Sequence, residues 1–199
     1  MFSGIIEQIG EVREIYPKEK GKDFLIYSNL PSHEIKLGDS ICLDGCCLTV
    51  TEINDKVLRF FASHETLSCT TLGQYCKGTK INLERSLQMN ARLDGHFVQG
   101  HVESKGILKA KEKKGDSIEI TIQLSKKLKS LVIPKGSIAV DGISLTINWI
   151  KDGQDHSLVG INLIPYTLDH TALCQKEIGQ EVNLETDILG RYVKRMIHG

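Results

Sequence analysis

The sequence predicts an all-β protein: two tandem six-stranded antiparallel barrels related by internal duplication, followed by one C-terminal α-helix. Three observations carry this. The chain repeats itself, each repeat reads as short strands broken by turn signals, and the last segment alone changes to helical spacing.

The repeat is the strongest of the three. SICLDGCCLTV at 40–50 and SIAVDGISLTI at 137–147 share six of eleven positions at an offset of 97. TLSCTTLGQYCKGTKINLE at 66–84 aligns with TLDHTALCQKEIGQEVNLE at 167–185 at an offset of 101, and both close on Asn-Leu-Glu. GIIEQIGEV at 4–12 aligns with GHVESKGIL at 100–108, offset 96. Three blocks in one order define a duplicated domain. The period is too long for a solenoid unit and long enough for each copy to enclose its own core. The expected units are residues 1–88, 96–186 and a tail at 187–199, with a polar seam at 86–96 that holds the Asp94-Gly95 turn signal.

Within the first copy, strand signals fall at 4–15, 23–28, 40–43, 46–53, 57–62 and 79–84; within the second, at 97–110, 117–124, 136–140, 144–150, 157–164 and 181–186. Asp44-Gly45 and Asp141-Gly142 sit between β-branched and apolar runs, and Asp-Gly supplies the positive φ angles of a two-residue hairpin. The stretches 64–73 and 167–175 each open on or near Thr-Leu and read as one short helix. Many short antiparallel strands favour closure into a barrel, which removes exposed edges.

The tail differs from both copies. Ile188, Leu189, Tyr192, Val193 and Met196 recur at helical spacing, Asp187 stands at the N-cap position, and Arg191, Lys194 and Arg195 take the other face. The apolar stripe has two possible partners, its own barrel or copies of itself in an oligomer.

Composition narrows the function. Lys+Arg and Asp+Glu are both 25 and one Trp is present, which argues against nucleic acid and anionic membrane as partners. No run approaches the ~20 apolar residues of a membrane span. The N-terminus MFSGIIEQIGEV lacks the pattern of a secretory signal, and the six cysteines form no paired CxxC frame, so reduced thiols in a cytoplasmic protein are expected. His96 and His101, at spacing five, share no face of a strand or helix, and no metal or cofactor motif is present.

What remains is a difference between the copies. After the Asp-Gly hairpin, Cys47 in the first copy stands where Ser144 stands in the second. Cys47 is a nucleophile or donor, or else a small buried strand residue. Cys47 and Thr49 share one strand face, as Ser144 and Thr146 do; at a barrel mouth such groups suit a polar heterocycle, and on a solvated face they are ordinary strand residues. His101 replaces the aligned Ile5, a site signal or a satisfied core histidine. Lys135, before Gly136, reads as a turn residue.

Five motifs then carry a resemblance over essentially the whole chain. MFSGIIEQIG at the start, GCCLTV at 45–50, GHFVQGHV at 95–102, DGISLTIN at 141–148 and the NLE-x-D-x-L-x-RYV ending resemble riboflavin synthase of the alpha-chain type. The resemblance implies Greek-key lumazine-binding barrels and a homotrimer joined by its C-terminal helices. It implies a transferase of riboflavin biosynthesis that needs no cofactor or metal. Two molecules of 6,7-dimethyl-8-ribityllumazine would exchange a four-carbon unit, one becoming riboflavin and the other 5-amino-6-ribitylamino-uracil. The two pockets would face each other across subunits. Association with a lumazine synthase occurs in some relatives.

Carried over by position, the resemblance implies a first pocket of Gly4, Ile5, Ile6, Cys47, Leu48, Thr49, Phe61, Ala62, Ser63, His64, Glu65 and Thr66. It implies a second of Gly100, His101, Val102, Lys135, Ser144, Leu145, Thr146, Asn162, Leu163, Ile164, Pro165, Tyr166 and Thr167. Its sensitive positions correspond to Phe2, Ser40, Cys47, His101 and Asp187. Cys47 or Ser40 would activate the acceptor, His101 or a nearby hydroxyl would move the proton, and Asp187 would act at a subunit junction. The chain departs from the family where Pro165-Tyr166-Thr167 replaces the usual Pro-Glu-Thr, which weakens a carboxylate contact to the ribityl chain in the second copy. The alternative reading is a non-catalytic lumazine- or flavin-binding antenna protein of the same fold, and a plain structural barrel is a further rival.

Overall fold

The computed structural model describes residues 1–197 in full and the backbone of residue 198; Gly199, the last residue of the expected tail helix, lies outside the described residues. The first barrel comprises β1 (Gln8–Lys18), β2 (Gly21–Tyr27), β3 (Ser40–Leu43), β4 (Cys46–Asn54), β5 (Val57–Ser63) and β6 (Lys80–Arg85). Helix α1 (His64–Cys69) and a 3-10 turn at Thr71–Gln74 lie between β5 and β6. The second comprises β7 (Ser104–Lys114), β8 (Ser117–Ser125), β9 (Ser137–Val140), β10 (Ile143–Asp152), β11 (His156–Leu163) and β12 (Glu181–Thr186). Helix α2 (Pro165–His170) and a 3-10 turn at Ala172–Gln175 precede β12, and α3 (Ile188–His198) follows it.

The neighbour order β1-β2-β5-β4-β3-β6 closes on itself, and the second barrel has the same order six strands later. In each, three consecutive strands form a meander and the last strand returns beside the first of them, a Greek key. Alternate residues fill the interiors. Val12, Phe24, Ile26, Leu58, Phe60, Ile81 and Leu83 are buried in the first; Leu108, Ile120, Ile122, Ile147, Val159, Ile161 and Leu184 are buried in the second. Each such side chain contributes about 1.5–3 kcal/mol of burial.

The two hairpins at Asp44-Gly45 and Asp141-Gly142 meet tip to tip. All four residues have positive φ, between 43° and 83°, as two-residue hairpin turns require. A Cβ on Gly45 would stand 2.9 Å from the Gly142 nitrogen, and one on Gly142 2.8 Å from the Gly45 nitrogen, so only glycine permits this approach. Around the tips the polar groups bond in a two-fold pattern. The Asn82 amide N–H donates to Asp44 Oδ1 and that of Asn183 to Asp141 Oδ1, both at 2.7 Å. Each asparagine then reaches across. Asn82 Nδ2 donates to the Asp141 carbonyl at 2.9 Å, and Asn183 Nδ2 to the Asp44 carbonyl at 2.7 Å. Their oxygens accept from Ala172 and Thr71 backbone N–H groups of the opposite copy.

The pattern breaks at one aligned pair. Tyr75 donates its hydroxyl proton to Asp44 Oδ2, whereas Lys176 stands 3.5 Å from Asp141 Oδ2. Two buried carboxylates therefore share one cation. Burial, and next the neighbouring Asp141, push the Asp44 carboxyl up to about 7. Burial also raises Asp141, opposed by Lys176.

The strands expected at 4–15 and 97–110 begin later than the sequence implied. Gly4 (φ 78°) and Gly100 (φ 81°) break the extended run, and the residues before each first strand form arms that change barrels. Ile6 packs on the core of the second barrel and Val102 on the core of the first. The arms pair with each other through Phe2 and Val98, whose N–H groups donate reciprocally at 2.7 and 3.1 Å. Phe2, Val98, Cys42 and Ala139 form a small apolar core between the barrels.

Two outcomes are expected. Asp44 holds its proton more tightly folded than unfolded, so its contribution is full below the ordinary carboxyl range near 4 and is lost as pH rises through about 7. Urea denaturation should show higher stability at pH 5.5 than at 8.5, and Asp44→Asn, which tolerates the positive φ, should flatten that difference. Separately, a Cβ at Gly100 would lie 2.5 Å from the Cys47 Cβ. Gly100→Ala should lower stability by ~1–3 kcal/mol through backbone strain and the clash, read as a shift in denaturation midpoint.

Candidate active site

Each arm lies along the start of a strand of the opposite barrel. The Cys47 N–H donates to the Gly100 carbonyl, and the Ser144 N–H donates to the Gly4 carbonyl, both at 2.8 Å. Gly100 thus covers Cys47, and Gly4 covers Ser144. The grouping by copy that the resemblance implied, Gly4 with Cys47 and Gly100 with Ser144, is crossed. The physical reason is the barrel change of the arms, which satisfies the backbone groups at the start of β4 and β10.

Each arm is tied down by a buried carboxylate from the last strand of its own copy. Glu84 accepts from the Ser3 N–H and hydroxyl, both at 2.7 Å, and from the Gly4 N–H at 3.0 Å. Glu185 accepts from the N–H groups of Gln99 (2.6 Å), Gly100 and His101 (both 2.9 Å). Burial raises both carboxyls above the usual range, and these hydrogen bonds oppose it. Neither glutamate was singled out from the sequence; the only signal was the shared Asn-Leu-Glu, which served there as a marker of duplication.

Strand alternation divides the candidate residues. Leu48 and Leu145 point inward and belong to the two cores. Cys47, Thr49, Ser144 and Thr146 lie on the outer faces, with Cys47 and Ser144 half-buried beneath the arms and the threonines exposed. These side chains therefore do not line the barrel interiors. Ser40 pairs with Thr49 across the β3–β4 ladder, on the same outer face. His101 is exposed on its arm, where Ile5 is exposed on the other.

His96 enters the site from the seam. Its Nδ1 lies 2.7 Å from Ser144 Oγ, while its Nε2 is buried without a partner. Burial lowers its basicity and Asp187 opposes that, which brings Asp187 into the electrostatic surroundings of the Ser144–His96 pair. Sequence spacing had considered His96 only as a metal ligand with His101. Among the described residues, no cluster of His, Cys, Asp or Glu is arranged to hold a metal ion. Asp187 also caps α3, accepting from the Leu189 N–H at 3.0 Å. All six cysteines are free; burial pushes the Cys46 thiol up to about 12 and that of Cys42 upward as well.

Other candidates lie apart. An open cavity of about 840 Å³ is lined by Ser3, Ile5, Ser40, Glu84 and Arg85, with residues of the 86–94 segment. Phe61 instead borders a separate hollow of about 530 Å³ with Lys20 and Arg59. Ala62 and Leu163 are buried core residues. Ser63 caps α1 by accepting from the Thr66 N–H at 3.2 Å, and the His64 ring meets the Glu19 carbonyl at 3.0 Å. Glu65 is exposed in the first turn of α1. Asn162 accepts from the Ser117 hydroxyl at 2.9 Å. Ile164 and Pro165 are exposed, Thr167 is half-buried, and Tyr166 stacks on His170 at 4.0 Å between ring centroids. Lys135 is exposed with φ 68°, a turn residue.

Comparison with known proteins agrees with this duplicated architecture. The lumazine binding domain matches twice, at residues 3–86 and 99–187. Riboflavin synthase of Bacillus subtilis (strain 168) is 36% identical over 198 residues, covering 100% of this chain and 90% of that protein. Riboflavin synthase of Saccharomyces cerevisiae (strain ATCC 204508 / S288c) is 33% identical over 205 residues, covering 99% and 86%. Among solved structures, LumP complexed with riboflavin superposes with a TM-score of 0.82 at 25% identity, covering 94% of this chain and 99% of that one. LumP complexed with 6,7-dimethyl-8-(1'-D-ribityl) lumazine gives 0.80 at 23% identity, with the same coverage. With both barrels matched and full-length relatives above 30% identity, the chain belongs to the lumazine binding domain family.

Proposed function

We propose that this chain is a riboflavin synthase. It would take two molecules of 6,7-dimethyl-8-ribityllumazine, transfer a four-carbon unit between them, and release riboflavin and 5-amino-6-ribitylamino-uracil. The observation that carries this reading is the duplication itself: two related arm-covered faces, alike in backbone and different in side chains, on a chain whose full-length relatives are riboflavin synthases. A reaction between two copies of one molecule calls for two similar surfaces, and their differences assign unequal roles.

The chemistry begins at the C7 methyl group of the substrate. The electron-poor ring delocalises the anion left when a methyl proton departs. The protein has to accept that proton, hold the anion and bring the second ring into register. Holding two reactants in geometry lowers a barrier by ~7–11 kcal/mol, and a positioned acid or base adds ~10²–10⁴-fold. Cys47 and Ser40, on one outer face, are suited to activating the acceptor. His101 and the Ser144 hydroxyl, the latter held by His96, are suited to moving the proton. Asp187 would orient or exchange a proton beside that pair.

The C-terminal helix supports a homotrimer. Leu189, Tyr192, Val193, Met196 and Ile197 are all exposed, so the apolar stripe is left uncovered by the helix's own barrel. Assembly through it would bring the first barrel of one chain to the second barrel of its neighbour, so that each complete site is shared. Among the described residues no helix is long and apolar enough to cross a membrane, and cytoplasmic placement fits the reading.

Incubation of the purified protein with 6,7-dimethyl-8-ribityllumazine should generate flavin absorbance without added metal; binding without turnover would favour a LumP-like carrier instead. Cys47→Ser and Asp187→Asn should each lower turnover at least tenfold while ligand binding, measured by fluorescence, changes less. Wild-type rates in both variants would refute the site. Light scattering should give three chains per particle, and Tyr192→Glu, within the exposed stripe, should give monomers with little turnover.

A further inference from the structure

The two clamping carboxylates stand at aligned positions but hold different chemistry: Glu185 accepts from three arm N–H groups, and Glu84 from two N–H groups and the Ser3 hydroxyl. Glu84 fixes the arm that carries Ile5 and covers Ser144; Glu185 fixes the arm that carries His101 and covers Cys47. We propose that Glu185 is a positioning residue of the reaction, acting through His101 and Cys47, and that Glu84 is its counterpart for the substrate surface at Ile5 and Ser144. This rests on the riboflavin synthase reading of the site.

Four features carry it. First, Glu185 is 2% exposed and Glu84 3%, and neither has a cation within ion-pair distance among the described residues. A buried carboxylate without a counter-ion persists only where donors converge on it, and here the donors are the arms. Second, a carboxylate is purely an acceptor, so three N–H groups can meet it; a glutamine amide would turn a donor toward donors. Third, Glu185 pairs with Ala139 across β9 and β12, so the acceptor is mounted on a barrel strand rather than a loop. Fourth, the bond chain is short. Glu185 holds the His101 N–H directly, and the Gly100 carbonyl between them accepts from Cys47, so the two candidate catalytic residues are set by one anchor. In the first copy Glu84 holds Ser3 and Gly4, whose carbonyl accepts from the Ser144 N–H, while the Ile5 N–H donates instead to the Ser3 hydroxyl oxygen at 3.4 Å.

The proposal separates the two glutamates in a way that a shared structural role would not. Glu185→Gln should lower kcat by about 10²-fold, the effect of a misplacement near 1 Å, and change KM less. Glu84→Gln should act mainly on KM. Amide exchange followed by NMR supplies a readout that needs no turnover. In Glu185→Gln the Cys47 amide, held by Gly100, should exchange at least tenfold faster while the Ser144 amide keeps its rate; in Glu84→Gln the two amides should trade behaviour. Glu181→Gln, on the same strand but bonded to Lys105 and Gln74, should leave both amides and kcat as in the wild type. Should Glu185→Gln not fold, Glu185→Asp keeps the acceptor on a shorter stem and should still slow kcat and free Cys47.

Equal effects of both substitutions on both amides, or a wild-type kcat in Glu185→Gln, would overturn the proposal. If the wild-type chain itself makes no riboflavin, the failure belongs to the functional reading. The exchange pattern then decides alone, a reciprocal pattern upholding the clamps and a uniform one refuting them.

Discussion

Backbone N–H groups that leave one barrel to cover another have to find acceptors, and in this molecule Glu84 and Glu185, each on the last strand of the arm's own copy, supply them. Without those carboxylates each arm would hold buried donors with no partner, at roughly 1–3 kcal/mol apiece. With them, Gly4 and Gly100 are pressed onto Ser144 and Cys47, and Phe2 and Val98 seal the space between the barrels. The hairpin tips at Gly45 and Gly142 complete the joint from the other side. The relative placement of the two candidate faces follows from these contacts rather than from the barrel interiors.

Against that near-symmetric frame, the departures from symmetry are few and chemically pointed. Cys47 answers Ser144, His101 answers Ile5, and Tyr75 answers Lys176. The first two alter what the faces present to a ligand, and the third leaves two buried carboxylates sharing one cation at the joint. Duplication thus supplies two similar surfaces, and a handful of substitutions makes them chemically unequal.

Much of this was legible in the sequence, for physical reasons that can be named. Asp-Gly between apolar runs encodes a hairpin locally, so both hairpins and the strands they join were readable, and repetition extended the reading to a whole barrel. Closure in the same strand order is what the repeat implied. The arms were not readable, because GIIEQIGEV looks like the start of a strand and no periodicity reports which barrel an extended segment will cover. Leu48 and Leu145 were assigned to pockets along with their neighbours, although alternation sends them into the cores. His96 was invisible as a partner of Ser144 because the two are 48 residues apart and meet only through the crossing. Glu84 and Glu185 were hidden inside a motif that was read as a marker of ancestry.

The central claim is that one chain offers two unequal places for one kind of ring. Isothermal titration with a ribityllumazine that lacks the 7-methyl group, and so cannot react, tests it most directly. Two molecules bound per chain, with distinguishable affinities, is the result expected. A single molecule per chain, or two bound with indistinguishable affinity, would contradict it.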